Sequence, residues 1–148
     1  MSETAPCGCF QRDQVLERHR HWRLSLSRQQ GFLGWCLIIL ERHETDAANL
    51  TSEETLELWS IVNRARNAIQ ALFQPDHFNY AFLGNVVRHV HMHVMPRYRS
   101  PREFAGRQVT DEQWGWFAIP GTEEAPPEVL DALAEALRHQ MIEEGEPQ

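Results

Sequence analysis

The sequence predicts an α+β fold: a mainly antiparallel sheet, one long helix and a C-terminal helix. Three observations carry this. Several short stretches alternate or run apolar at strand length. One long stretch places apolar residues at helical spacing behind a capping box. Two strand-like stretches flank a Gly-Asn turn signal, which makes them hairpin neighbours. The 148 residues suit one domain with a real core, and no internal repeat is visible.

The elements follow in order. Residues 1–12 read as a flexible tail with a Cys-Gly-Cys turn, and Gln14 to His19 as a short helix or irregular lead-in. Trp22, Leu24 and Leu26 alternate with Arg23, Ser25 and Ser27, the pattern of a half-buried strand. Gln29-Gln30-Gly31 is a turn. Trp35 to Leu40 is continuously apolar, as in a central strand covered on both faces. Thr51 can cap a helix, with Glu54 completing the box. Leu58, Trp59, Val62, Ala65, Ile69 and Leu72 then form a buried stripe to about Phe73, and Pro75 closes the helix region.

A strand is expected over Phe78 to Leu83, a turn at Gly84-Asn85 and a second strand over Val86 to Met95. Periodicity fades after Pro96, so residues 99–148 read as a C-terminal extension. Within it, Trp114 and Trp116 could fold over a ligand or pack on a partner subunit, with packing favoured. Its last helix runs from Glu128 to about Ile142, with Val129, Leu130, Leu133, Leu137 and Met141 on one side. Residues 145–148 should fray.

Within the second hairpin strand lies His89-Val90-His91-Met92-His93. A period of two puts three imidazoles on one face and Val90, Met92 and Val94 on the other, toward a core. Stacked imidazoles repel when protonated and need partners when buried. Either of two chemistries would justify the row. Imidazole binds zinc, and it is also a nucleophile and general acid–base near neutral pH. Spacing alone does not choose between them, though the clean alternation argues against a chance run on an exposed strand.

Net charge is −7, and all fourteen basic residues are arginine. With no lysine, Schiff-base chemistry has no residue to use. The acidic balance argues against nucleic-acid polymers but leaves small nucleotides open. No apolar run is long enough to span a membrane and the N-terminus lacks a signal-peptide core, so a cytoplasmic location without membrane partners is expected. Three cysteines, Cys7, Cys9 and Cys36, argue against a disulfide framework.

His89 to Met95 resembles the signature of the histidine triad (HIT) family, His-apolar-His-apolar-His-apolar-apolar. Gly34 to His43 and Leu50-Thr51-Ser52-Glu53-Glu54 resemble other segments of the family, and Phe78-Asn79-Tyr80, Gly84-Asn85-Val86-Val87 and Pro96-Arg97-Tyr98 resemble its bacterial branch, all in the right order. The resemblance covers about Trp22 to Tyr98. It implies a small α+β domain, usually a homodimer, that hydrolyses or transfers nucleoside monophosphates. Dinucleoside polyphosphates, phosphoramidates and related mixed anhydrides are the implied substrates, and AMP is a typical product.

By the same resemblance, His91 is the nucleophile that attacks the α-phosphorus and forms a covalent nucleotidyl-imidazole. His93 donates to phosphate oxygens, His89 orients, and His43 is the fourth member of the cluster. Asn79 and Asn85 are candidates for the ribose, phosphate or leaving group, and Ser27 for the ribose. Leu24, Leu26 and Leu37 could line a base pocket, although core packing accounts for each. Relatives often carry Ser or Thr where this chain has Val86, which shifts the reading from phosphoramidates toward polyphosphates.

No cofactor is required by this chemistry, although a divalent cation could accompany the substrate phosphates. Some relatives bind structural zinc through an N-terminal Cys-x-x-Cys and two histidines. Here Cys7 and Cys9, one residue closer together, with His43 and His89 would be the corresponding tetrahedral set. His19 and His21 lack a partner motif and are expected to face solvent. The competing class is a nucleotide- or zinc-binding regulatory module with little catalysis.

Overall fold

The computed structural model describes residues 8–119, 121 and 123–145. Its strands are β1 (Gln14–Arg18), β2 (Trp22–Leu26), β3 (Cys36–Leu40), β4 (His77–Phe82), β5 (His91–Arg97), β6 (Arg102–Phe104) and β7 (Arg107–Val109). The helices are α1 (Ser52–Phe73) and α2 (Pro127–Glu143). The order β1-β2-β3-β5-β4 makes one antiparallel sheet, and β6-β7 is a separate hairpin.

The expected α+β architecture is the one found, with β3 at the centre of the sheet. Trp22, Leu24 and Leu26 pair in register with Leu40, Ile38 and Cys36, so one face of β2 and β3 is continuously apolar. That face, with Val90, Met92 and Val94, packs against α1 and α2 in the main core. The residues between them point the other way: Ser25, Leu37, Ile39, His91, His93 and Met95. Helices therefore cover one face of the sheet, and the histidines occupy the opposite face.

Helix α1 starts where its capping box places it. Glu54 N–H donates to Thr51 Oγ1 and Thr51 N–H to Glu54 Oε1, each at 3.1 Å. Such caps contribute about 1 kcal/mol. The buried stripe differs in detail from the expected one: Ile61 and Ala68 are inside, whereas Trp59 is exposed. The left-handed Gln74 ends the helix, one residue before Pro75.

Three local expectations are corrected. Gln14 to His19 is largely strand, not helix or lead-in. A bulge between Val15 and Glu17 breaks its alternation, and only Leu16 is buried along it. The histidine strand begins at His91 rather than Val86. Val90 N–H donates to Glu44 O at 2.7 Å and Leu40 N–H to Val90 O at 3.1 Å, which draws this segment onto the end of β3 and away from β4. His89 consequently precedes the strand. The stretch after Pro96 contains the β6-β7 hairpin.

Candidate active site

Both imidazoles within β5 are buried, and hydrogen bonds fix their orientation. The His91 Nδ1–H donates to the carbonyl of His89 at 2.7 Å, which leaves the lone pair on Nε2. Leu37 lies opposite His93 across the sheet, and Ile39 opposite His91. The His91 and His93 rings are 4.9 Å apart. The indole N–H of Trp35 donates to His93 Nδ1 at 3.2 Å. Phe10 sets its ring against His91 at 4.7 Å, roughly perpendicular.

Electrostatics keep these imidazoles neutral. Burial pushes His91 below the ordinary histidine range; the bond to the His89 carbonyl opposes this, and the neighbouring His89 ring adds to it. For His93, burial and then neighbouring His91 lower the pKa to about 4. At neutral pH the cleft thus holds one unprotonated nitrogen nucleophile next to a neutral ring. Cys36 does not compete, because complete burial raises its thiol to about 12.

A cleft of about 690 Å³ opens over these rings. Ser27, Leu26, Leu37, Asn85, His91 and His93 all line it, so five sequence segments meet there when Phe10 and Trp35 are included. Ser27 Oγ already accepts from Gln29 N–H at 3.2 Å. Leu24 and Leu26 both belong to the helix-side core, and of the two only Leu26 also borders the cleft. Asn79 is not brought to this cleft. Its Oδ1 accepts from Arg97 Nη1 at 2.7 Å, and it lines a separate depression with Arg99, Trp114 and Trp116.

Arg97 itself forms a buried fork with Asp111, Nε to Oδ2 at 2.7 Å and Nη2 to Oδ1 at 3.2 Å. It also donates to the Gln113 and Trp116 carbonyls. Because of this, β5 is tied to the segment that follows β7. Trp114 and Trp116 remain exposed.

Beside the cleft is a second cluster. The His89 Nε2–H donates to Leu40 O at 2.6 Å, so its Nδ1 presents a lone pair. His43 Nδ1 is 3.3 Å from that atom. Ligand atoms of Cys9, His43 and His89 all lie within 4.8 Å of one another. A thiolate and two imidazoles, one oriented by a backbone carbonyl, suit zinc. Cys7, the fourth expected ligand, lies outside the described residues. His19 and His21, expected to face solvent, reach carboxylates: His19 Nε2 is 2.8 Å from Glu17 and His21 Nε2 3.9 Å from Glu53.

Sequence reasoning had not singled out Phe10 or Trp35 for the site. Trp35 had a faint signal, an aromatic at the head of an apolar strand. Phe10 had none, since a left-handed residue in a short lead segment has no period to read.

Comparison with known proteins agrees with this geometry. The HIT domain matches over residues 12–100. No curated protein sequence matches the chain. Among solved structures, a HIT family protein from Bacillus anthracis is 25% identical, with a TM-score of 0.60 over 91% of this chain and 98% of that one. A hypothetical histidine triad nucleotide-binding protein from Sulfolobus tokodaii is 15% identical, with a TM-score of 0.69 over 88% and 85%. A zinc-bound histidine triad family protein from Mycobacterium smegmatis is 19% identical, with a TM-score of 0.57 over 89% and 87%. The triad, the sheet that carries it and the matched span together place this chain in the histidine triad (HIT) family.

Proposed function

We propose that the protein releases a nucleoside monophosphate from a dinucleoside polyphosphate or a related nucleotide. The carrying observation is the bond from His91 Nδ1–H to the His89 carbonyl, which leaves a lone pair on Nε2 of a neutral imidazole. Nε2 attacks the α-phosphorus, a P–N bond forms, and the bond to the leaving phosphate breaks with its electron pair on oxygen. Water then attacks the same phosphorus, the P–N bond breaks with its electron pair returning to His91 Nε2, and the monophosphate departs after the water's proton passes to solvent.

Val86 bears on the leaving group. It is 94% exposed and offers no hydroxyl to protonate one. A phosphate leaves as a stable anion, whereas the amine of a phosphoramidate needs a proton. Polyphosphates such as diadenosine polyphosphates, with AMP as product, are therefore the favoured class. Ser27 and Asn85 are assigned to the substrate by their place in the cleft. Asn79 is assigned to holding Arg97.

Two further parts of the reading concern assembly and metal. Cys9, His43 and His89 are proposed to hold a structural zinc, in keeping with the zinc-bound mycobacterial relative. A homodimer is proposed through β4 and α1. A cytoplasmic location is proposed as part of the same reading. No helix among the described residues is long and apolar enough to cross a membrane.

The deciding experiment is monophosphate release from a nucleotide panel by wild type, His91→Ala and His91→Asn, with folding checked by circular dichroism. Both variants should lose activity by about three orders of magnitude or more. Full activity in either sinks the mechanism. Tight nucleotide binding with no turnover of any substrate by wild type would instead favour the regulatory module.

A further inference from the structure

We propose that Trp35 is a positioning residue: its indole N–H fixes the tautomer and orientation of His93, so that His93 presents Nε2–H to the cleft. The tautomer stands on this structure alone, and its use in phosphate binding rests on the proposed function.

An indole nitrogen donates and never accepts. The Trp35 contact to His93 Nδ1 at 3.2 Å therefore requires a lone pair on Nδ1, and the proton of the neutral ring must sit on Nε2. No side-chain nitrogen or oxygen among the described residues is both buried and unpartnered. His93 Nε2 has no hydrogen-bond partner among the described residues, so it is open to the cleft that His93 lines. A hydroxyl at position 35 could have donated or accepted and would have left the tautomer undecided.

Neighbouring His91 is held in the opposite state by the His89 carbonyl. A backbone acceptor and an indole donor thus give two similar rings different tasks. One presents a lone pair to phosphorus, and the other presents a proton to an oxygen that gains charge in the transition state.

Trp35 is built for the position. Its ring is 2% exposed and lies 5.6 Å from the His93 ring. Its backbone N–H donates to Phe32 O at 2.9 Å, and its carbonyl accepts from Ser27 N–H at 3.1 Å and Gln30 Nε2 at 3.0 Å. Gly34 before it has φ +94°, and a Cβ there would stand 3.2 Å from Ile69 Cγ2. The turn that delivers the indole is thereby packed directly onto α1.

The test is ¹⁵N NMR of histidine tautomers near pH 7.5, with kinetics on diadenosine tetraphosphate. Wild type should show His93 protonated on Nε2, with a scalar coupling across the bond from Trp35 Nε1 to His93 Nδ1. A proton on Nδ1, or no such coupling, overturns the inference without needing a variant to fold or a substrate to turn over. Trp35→Phe should lower kcat roughly tenfold or more while KM changes less than about twofold. In a His93→Ala background the same change should cost less than about twofold, since the two residues act through one group. Full kcat in Trp35→Phe, or losses that multiply, would refute it. Failure of every substrate with wild type would sink the proposed function and leave the tautomer result standing.

Discussion

His93 couples the fold to pH. Its folded pKa of about 4 lies below the ordinary 6.5, because burial and His91 disfavour its charge. Between these values the unfolded chain binds a proton that the native state does not. Stability is then complete above about pH 6.5 and declines as pH falls toward 4. The loss from His93 alone should be about 2 kcal/mol between pH 7 and 5. His91 acts in the same direction. Glu17 does not confuse the measurement: burial would raise it, but bonds from His19 and Arg64 outweigh that and bring it to about 2, so its window lies lower. Urea denaturation at a series of pH values checks this, with His93→Gln expected to flatten the slope. A flat profile in wild type would contradict it. At this scale the alternation of β5 was legible, since residues two apart must share a face. The roles of Trp35 and Asn79 were not. The indole meets a ring 58 positions away, and Arg97 claims Asn79 from 18 away. No local pattern records either meeting.

Elements were readable where their signals are local. The capping box gave the start of α1, and apolar spacing gave α2, because both are written within a few turns. β1 was hidden by its bulge, and the true start of β5 by backbone bonds that residues 40 and 44 make with Val90. The same junction frames the zinc expectation, since His43 follows β3, His89 precedes β5 and Cys9 arrives from the N-terminal side. A metal bound only by the folded state adds RT ln(1 + [L]/Kd) to stability. Purified protein should hold close to one zinc per chain by elemental analysis. Chelation should lower the melting temperature, and Cys9→Ser should lose most of the metal. Metal-free protein with an unchanged melting curve under excess zinc would remove the site.

Over the whole molecule, the sheet separates packing from chemistry, with helices on one face and the cleft on the other. β4 ends the strand order, and Trp59, Leu56 and Phe82 are exposed nearby, with Trp59 6.2 Å from Tyr80. A strand edge left unpaired among the described residues, beside an apolar helix surface, suits a second copy of the chain. Sedimentation analysis should find a dimer at micromolar concentration, and Trp59→Glu should shift it to monomer by at least about tenfold in dissociation constant. A monomeric wild type would refute this interface.

The fork between Arg97 and Asp111 has a consequence for how such a protein can be divided. The segment recognised as a HIT domain ends at residue 100, yet the guanidinium three residues earlier finds its counter-charge at 111. Cutting at the recognised border would strand a buried cation, at a cost of about 3–5 kcal/mol. The triad strand and the region beyond residue 100 are thus one structural unit in this chain. A chimera that carries this chain's triad segment into another scaffold has to bring along Asp111, the carboxylate that neutralises Arg97.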